Sequence, residues 1–218
     1  MKYLGSPQSG SQAGTTASRN RNGQYLRSRA IPVNPRSAKQ GVVRARLASS
    51  AAIWRTLTSD ARAGWADLAA SFHRKDSLGQ DYTPTGFQMF CSVNNNLTAC
   101  SASVLTAAPA LVTPPALLTA TVTLTAASFS IAYTATPLAA NTYLMAFASP
   151  QRSAGRAFEG DFRLIKVSTA AQASPMVILS EYTARFGVPV VSNRIFLSLV
   201  TMNGGFCSGP LVTSAVVA

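Results

Sequence analysis

Acidic residues are scarce in this chain of 218 residues, where Asp and Glu number 7 against 19 Lys and Arg. Charged residues make up 12% of the sequence, which is half of the roughly 25% found in typical soluble domains. Surface polarity must therefore come from Ser, Thr, Asn and Gln, which are solvated but give little charge repulsion between copies. This composition favours a protein that works packed against neighbours over one that diffuses alone.

Histidine occurs only once, as His73, in a polar stretch where we expect a solvated side chain rather than a general base. The chain contains none of the phosphate-loop, zinc-protease, dinucleotide or serine-hydrolase patterns. Glu159 and Asp161 could bind a cation, but they lack the EF-hand pattern, so we expect a solvated loop that pairs with Arg156 or Arg163. We therefore predict a protein that is not an enzyme and has no cofactor, no catalytic residues and no metal site.

Cysteine is also rare, with Cys91, Cys100 and Cys207 forming an odd set in which no two share a Cys-x-x-Cys spacing. Disulfide or zinc frameworks are not expected, and all three are predicted to be small buried residues. The chain has no apolar signal-peptide core at its start and no run near the ~20 residues of a membrane helix. We expect a soluble protein made in the cytoplasm, without a membrane partner.

Positive charge is concentrated at the N-terminus, where nine of the 19 basic residues fall in the first 46 positions and no acid precedes Asp60. Residues 5–34 are rich in Gly, Ser, Gln, Thr and Asn, so they cannot bury enough apolar surface to offset chain entropy. We predict that residues 1–34 form a basic arm that stays extended or disordered until it meets a partner. Tyr25, Leu26 and the run 31–33 are apolar anchors that a plain polyelectrolyte tail would not need.

Helical patterns occupy residues 35–107. Asn34 precedes Pro35, which predicts an N-cap and a first helix from Pro35 to Leu57. A new cap near Thr58 predicts a second helix over about residues 59–72, folded back as a hairpin. After a polar loop from Arg74 to Pro84, Thr85 is predicted to cap a third helix. Trp54 and Trp65 could form a ligand cage, but at this spacing a hairpin core is favoured.

The last region, residues 108–218, changes to short runs of Val, Thr, Ala, Ile and Phe with period-two alternation. Seven strands are predicted at 121–125, 128–133, 142–148, 162–168, 176–180, 194–201 and 211–217. Asn203-Gly204-Gly205 predicts a hairpin between the last two strands. The fold class is therefore α+β with several domains: an arm, a small helical hairpin or three-helix region, and an antiparallel immunoglobulin-like or fibronectin III-like β-sandwich.

Several short stretches carry a resemblance. They are residues 22–29, 32–40, 54–58, 62–65 and 85–90, with the motifs Tyr-Leu-Arg-Ser-Arg, Pro-Val-Asn-Pro-Arg and Thr-Gly-Phe-Gln-Met-Phe among them. Over residues 10–97 the chain resembles a poorly characterised group of virion-associated proteins encoded in tailed-phage and environmental bacterial genomes. The C-terminal region is similar in pattern to the immunoglobulin-like modules that decorate phage particles. The resemblance implies a virion location and brings no catalytic residues.

Together these observations predict a structural subunit of a phage virion, such as an auxiliary capsid, head–tail or tail protein. Its partners would be other copies of itself and neighbouring virion proteins, contacted through the arm. The predicted partner-binding residues are Arg19, Arg21, Tyr25, Arg27, Arg29 and Arg36. Two alternatives stay open: a nucleic-acid-binding structural protein with the arm on phosphates, and a surface filament or adhesin subunit.

Overall fold

The computed structural model describes residues 6, 8–21, 23–31, 33–34, 36–76, 78–134 and 136–218. Its helices are α1 (Ala38–Thr56), α2 (Ser59–Ala70), α3 (Gly86–Ala99) and α4 (Leu179–Phe186). Its strands are β1 (Gly10–Gln12), β2 (Thr15–Asn20), β3 (Gly23–Ser28), β4 (Arg74–Lys75), β5 (Asp81–Tyr82), β6 (Thr119–Leu124), β7 (Phe129–Thr134), β8 (Thr142–Ala148), β9 (Arg152–Ser153), β10 (Arg163–Val167), β11 (Met176–Val177), β12 (Asn193–Asn203), β13 (Phe206–Cys207) and β14 (Leu211–Val216). The fold is α+β, and the strand pairs found in the described residues are antiparallel.

The chain forms two compact units. Residues 1–91 and 106–108 make up the first, and residues 92–105 and 109–218 make up the second. The finer division into an arm, a helical region and a sheet region, with boundaries at residues 34 and 107, remains a prediction.

The N-terminal segment of the first unit differs from the extended or disordered arm that its composition predicts. Residues 10–20 and 23–28 form a small antiparallel sheet in the order β1-β2-β3, with Thr15 opposite Ser28 and Asn20 opposite Gly23. Thr and Tyr favour strands, and local pairing satisfies the backbone groups of a segment that has no core to join. None of the side chains described in these strands is buried, so the sheet is held mainly by its own ladder.

Helix α1 begins later than predicted, so the assignment of Asn34 as N-cap is wrong. The N-cap is Ser37, whose hydroxyl accepts from the Gln40 N–H at 3.3 Å, while the Gln40 side chain accepts from the Ser37 N–H. This reciprocal capping box satisfies two backbone donors, and Asn34 has no Gln or Glu three residues on to form one. Pro35 lies outside the described residues.

The helices of the first unit pack around aromatic side chains. Thr58 caps α2 as predicted, accepting from the Ala61 N–H. Trp65 is fully buried, lies edge-on to Phe90 at 5.3 Å, and donates its indole N–H to the Thr106 carbonyl at 2.9 Å. Trp54 packs on the same Phe90 ring at 5.4 Å. The two tryptophans are therefore part of a helical core and do not form a ligand cage.

The segment between α2 and α3 holds a second small pairing, because β4 and β5 form a two-stranded ladder within the predicted loop. Asp76 stabilises its turn by accepting from the N–H groups of Leu78 and Gln80. Thr85 then caps α3 as predicted, with its hydroxyl accepting from the Gln88 N–H and the Gln88 side chain accepting from the Thr85 N–H.

The second unit contains two antiparallel sheets that share one buried cluster. One sheet has the order β10-β8-β12, with β9, β13 and β14 also paired to β12, and the other has the order β11-β7-β6. Phe129 and Ile131 of β7 join the same core as Leu144 of β8 and Leu197 of β12. The strands predicted at 121–125, 128–133, 142–148, 162–168, 194–201 and 211–217 are each present with shifted or equal bounds.

The predicted strand at 176–180 is wrong beyond its first two residues. Strand β11 ends at Val177 and α4 follows at once. Ile178, Tyr182 and Phe186 recur every fourth residue, a helical spacing that places them on one face. Tyr182 is fully buried against Phe129 and Phe186, with ring centroids 5.2 Å away in each case, and this packing selects the helix.

The predicted hairpin at residues 203–205 connects β12 to the short strand β13, with both glycines at positive φ. The expectation of three buried cysteines is wrong for Cys207, which is exposed, while Cys91 and Cys100 are half-buried. The neighbour of Cys207 in β13, Phe206, is buried, and successive residues of a strand point to opposite faces, so Cys207 faces solvent. Burial raises the pKa of the Cys100 thiol to about 11, so this thiol is protonated at neutral pH.

Candidate assembly surface

The predicted partner-binding residues are spread over both faces of the N-terminal sheet. Successive residues of a strand point to opposite faces, and residues opposite each other in the ladder share a face. Arg19 lies opposite Gln24, and so shares a face with Leu26. Tyr25 and Arg27 occupy the other face. The structure therefore brings Tyr25 and Arg27 together and separates them from Arg19.

Arg19 has an intramolecular role that sequence reasoning did not foresee. Its guanidinium donates to the Leu78 carbonyl at 2.6 Å, a contact 59 residues away in sequence within the first unit. No local sequence pattern predicts such a contact, because a backbone carbonyl can accept a hydrogen bond from any arginine within reach. Arg19 is therefore partly used in holding the sheet to its own unit.

Three other arginines remain available. Arg21, Arg27 and Arg29 are exposed, and in the part of the chain that the structure describes their side chains make no hydrogen bond or ion pair. The backbone N–H of Arg29 donates to the Gly14 carbonyl at 2.9 Å, so the position is fixed although its guanidinium is free. These three guanidinium groups can each offer a planar set of donors to a carboxylate or phosphate.

Arg36 lies outside the sheet, in the connection that enters α1. Its φ of +47° is in the left-handed region, and its N–H donates to the Asn34 side chain at 3.2 Å. The same Asn34 oxygen accepts from the Arg44 guanidinium at 3.0 Å. Arg36 thus belongs with the start of α1 and not with the other five predicted residues.

In the described residues, no ion pair neutralises the arginines of this surface. The ion pairs in the described chain all involve residues from Lys75 onward, namely Lys75–Asp81, Arg152–Glu159, Arg156–Glu159, Arg163–Asp161 and Lys166–Glu181. Since no acid precedes Asp60, the positive charge of residues 1–59 has no local counter-charge in the sequence. A partner that carries carboxylates or phosphates would supply it.

Strand β3 has an unpaired edge. The hydrogen bond from the Arg29 N–H to the Gly14 carbonyl shows that the backbone groups of Arg29 point toward β2. Because backbone groups alternate in direction along an antiparallel strand, those of residues 23, 25 and 27 also point toward β2. The backbone groups of Gln24, Leu26 and Ser28 therefore point away from β2. In the described residues no strand pairs with this edge. An exposed edge of this kind is a template for pairing with another chain.

The face of the sheet that lies opposite to Tyr25 and Arg27 carries a shallow polar concavity of about 580 Å³. It is lined by residues 8–12, Thr15, Ala17 and Leu26. Gln8, which lines it, exchanges two hydrogen bonds with Gln24, at 3.0 and 3.1 Å. Sequence reasoning missed this pair, because glutamines in a low-complexity segment carry no signal of position. The concavity has no titratable group in its lining.

Apolar residues that follow the sheet are exposed. Ile31 is 81% exposed and Val33 is 88% exposed, and Pro32 lies outside the described residues. Apolar anchors must be exposed in the single chain so that a partner can cover them, and these two side chains meet that requirement.

The acidic loop of the second unit is a structural ion-pair site. Glu159 is buried, against the expectation of a solvated loop, and pairs with Arg152 and with Arg156. The N–H groups of Asp161 and Gly160 donate to its carboxylate, and with Arg152 they lower the pKa of Glu159 to about 2. The pairing of Asp161 with Arg163, at 3.3 Å, is as expected. This loop uses its acids internally.

His73 is exposed, and the described residues contain no group of three or more His, Cys, Asp or Glu arranged to hold a metal ion. None of the helices in the described ranges combines the length and the apolarity needed to cross a membrane. No protein-family model matches the chain, and no curated protein and no solved structure matches it either.

Proposed function

We propose that this protein is a structural subunit of a phage virion that assembles with its neighbours through the basic N-terminal region, residues 1–34. The observation that carries the mode of assembly is the exposed sheet of residues 10–20 and 23–28, which combines a free strand edge with unpaired arginines. The virion location is supported by the resemblance over residues 10–97. Neighbouring copies and other virion proteins are the proposed partners.

The sheet supplies two kinds of contact that act together. The outward backbone groups of Gln24, Leu26 and Ser28 can accept a partner strand, and such main-chain pairing depends little on the partner's side chains. Arg27 and Arg29 beside this edge then favour a strand that carries acidic residues. The segment has secondary structure of its own, so assembly would add a strand to it and would not require the arm to order from a disordered state.

We also propose that the sheets of the second unit form an immunoglobulin-like or fibronectin III-like module. The support is the strand order: the first, second and fifth main strands (β6, β7, β11) lie in one sheet. The third, sixth and seventh (β8, β12, β14) lie in the other, and β10 pairs with β8 in the manner of an added strand on that sheet. A module of this kind suits a projecting or ring-forming part of a particle.

The test compares the full-length protein with a variant that lacks residues 1–34, by negative-stain microscopy and mass photometry. Rings, tubes or filaments formed by the full-length chain alone would support the proposal. Normal assembly of the truncated chain would overturn it.

The point variant Leu26→Pro gives a sharper test, because proline removes an outward backbone N–H that does not bond to β2. The matched control is Leu26→Thr, which keeps this N–H.

Nucleic acid is the second candidate partner, favoured by the same three unpaired arginines. Binding to phosphates would weaken steeply with salt, with a log–log slope of about −0.9 for each phosphate neutralised. Titration of a labelled DNA duplex at several salt concentrations tests it. Absent or salt-insensitive binding would exclude this candidate.

A further inference from the structure

Helix α1 carries a mostly apolar stripe, with one serine, that continues beyond the core of its own unit. Val43, Leu47, Ser50 and Trp54 are spaced by four, three and four residues, which places them on one face of the helix. Ser50 is buried, and Trp54 is half-buried against the rings of Phe87 and Phe90. Val43 and Leu47 continue the same line, yet they are 65% and 53% exposed.

The exposed part of the helix is long. From Ala38 to Ser49 no side chain is buried, and twelve residues at ~1.5 Å each span roughly 18 Å. A helix of this length is marginal in water unless an apolar face is covered. The N-terminal three turns of α1 therefore present a helix face that lacks cover among the described residues.

The charged residues beside this face determine which kind of partner can bind it. Lys39 and Arg46 lie on one side of the Val43–Leu47 line and Arg44 on the other, and the helix contains no acid. A second copy of the same helix would bring like charges together and offer nothing to neutralise them. Charge complementarity instead requires acidic residues on both flanks of the covering surface.

We infer that the first three turns of α1 dock an acidic amphipathic helix of another protein. Its apolar side chains would pack on Val43 and Leu47, and its carboxylates would pair with Lys39, Arg44 and Arg46. Apolar anchors at helical spacing flanked by opposite charge are the usual requirements of helix-on-helix recognition. The inference goes beyond assembly through residues 1–34, because it concerns a different surface and a partner of defined chemistry.

The experiment measures binding of designed peptides to the full-length protein by fluorescence anisotropy. The probe is a labelled peptide of about four helical turns, with Leu on one face and Glu on both flanks. Its controls are a peptide with Lys at the Glu positions and a peptide of the same composition in scrambled order. We expect the acidic amphipathic peptide to bind and the two controls to bind at least about tenfold more weakly.

Matched variants locate the contact. Val43→Ala with Leu47→Ala removes the stripe without changing charge and keeps good helix formers, so we expect affinity to fall about tenfold or more. Val42→Ala is the control, since Val42 is 52% exposed but lies about a quarter-turn away from the stripe. Circular dichroism of each variant verifies that the helix content is kept.

Several outcomes would overturn the inference. Equal loss in Val42→Ala would show that the stripe is not the contact, and equal binding of the basic peptide would remove the role of charge. A dimer that dissociates in the Val43→Ala, Leu47→Ala variant would identify a second copy as the occupant. Tighter binding of a DNA duplex than of the acidic peptide would favour nucleic acid.

Peptide binding retained in the Leu26→Pro variant would support the inference, because it would separate this surface from assembly through the N-terminal sheet.

Discussion

Gly205 lies against Val93 so closely that a Cβ atom placed on the glycine would stand 2.5 Å from Val93 Cγ1. The glycine also has a φ of +88°, in the left-handed region that other residues rarely adopt. The Asn96 side chain donates to the Gly205 carbonyl at 2.7 Å, which fixes the approach of hairpin and helix residues within the second unit. Chain conformation and packing therefore both require glycine at this position.

We predict that Gly205→Ala destabilises the protein by about 1–3 kcal/mol through overpacking, with further backbone strain. Gly204→Ala is the matched control, because its φ is also positive but its Cβ would meet nothing closer than Phe206 Cδ2 at 3.9 Å. Urea unfolding of both variants measures the difference. Equal destabilisation of the two would contradict the packing explanation.

Gly41 offers the opposite case. It lies inside α1, and a Cβ at this position would meet no atom within 4 Å. Gly41→Ala should raise helix stability by about 0.5–1 kcal/mol, because alanine loses less backbone entropy on folding. Gly86→Ala should instead destabilise, since its Cβ would lie 2.9 Å from the Ala66 N atom. Circular dichroism on heating distinguishes them, and a loss of stability in Gly41→Ala would disprove the first prediction.

Acid should weaken the second unit through Glu159. The pKa of Glu159 is lowered to about 2, so the group contributes stability that is fully present above its unfolded pKa of about 4.5. That contribution is lost as the pH falls from about 4.5 toward 2. We predict that Glu159→Gln is less stable than the native protein at pH 7 and shows a smaller decline over this range. Thermal midpoints recorded at several pH values would measure it, and parallel profiles would refute the assignment.

Arg27 and Arg29 should matter for assembly and not for folding. Both side chains are exposed and have no partner in the described chain, so replacing them with Gln should change the free energy of unfolding by less than about 0.5 kcal/mol. Mass photometry should show that the same double variant assembles poorly. Arg62→Gln is a useful contrast, because Arg62 donates to the carbonyls of Trp54 and Arg55 and should cost stability. Unchanged assembly in the Arg27, Arg29 variant would argue against the proposed surface.

Local chemistry explains which parts of the fold could be predicted from the sequence. Thr58 and Thr85 act as caps because their hydroxyls are followed three residues later by accessible N–H donors, and this pattern is visible in the sequence. Strand β8 was predictable with its bounds because its apolar run ends at turn residues. These elements need little information from distant residues.

Other elements depend on contacts that no local pattern reveals. Helix α4 exists because Tyr182 fills a space beside Phe129, which is more than fifty residues earlier in the chain. The N-terminal sheet was missed because a polar composition predicts a lack of core, and this sheet indeed has no buried side chain. Pairing between its strands satisfies their backbone N–H and C=O groups, and amino-acid composition does not predict such pairing. The positions of Arg19 and Glu159 were likewise set by partners that only the folded chain brings near.

Arg62 reaches from α2 to the carbonyl oxygens of Trp54 and Arg55, so it clamps α1 near its C-terminal end. The helix is held at that end, while its first three turns bury no side chain. A rod fixed at one end acts as a lever, and a load on Val43 would be transmitted as a bending moment to the turn at Leu57 and Thr58. The mechanical strength of any joint made by α1 would then depend on this guanidinium, which lies on α2, outside the first three turns of α1.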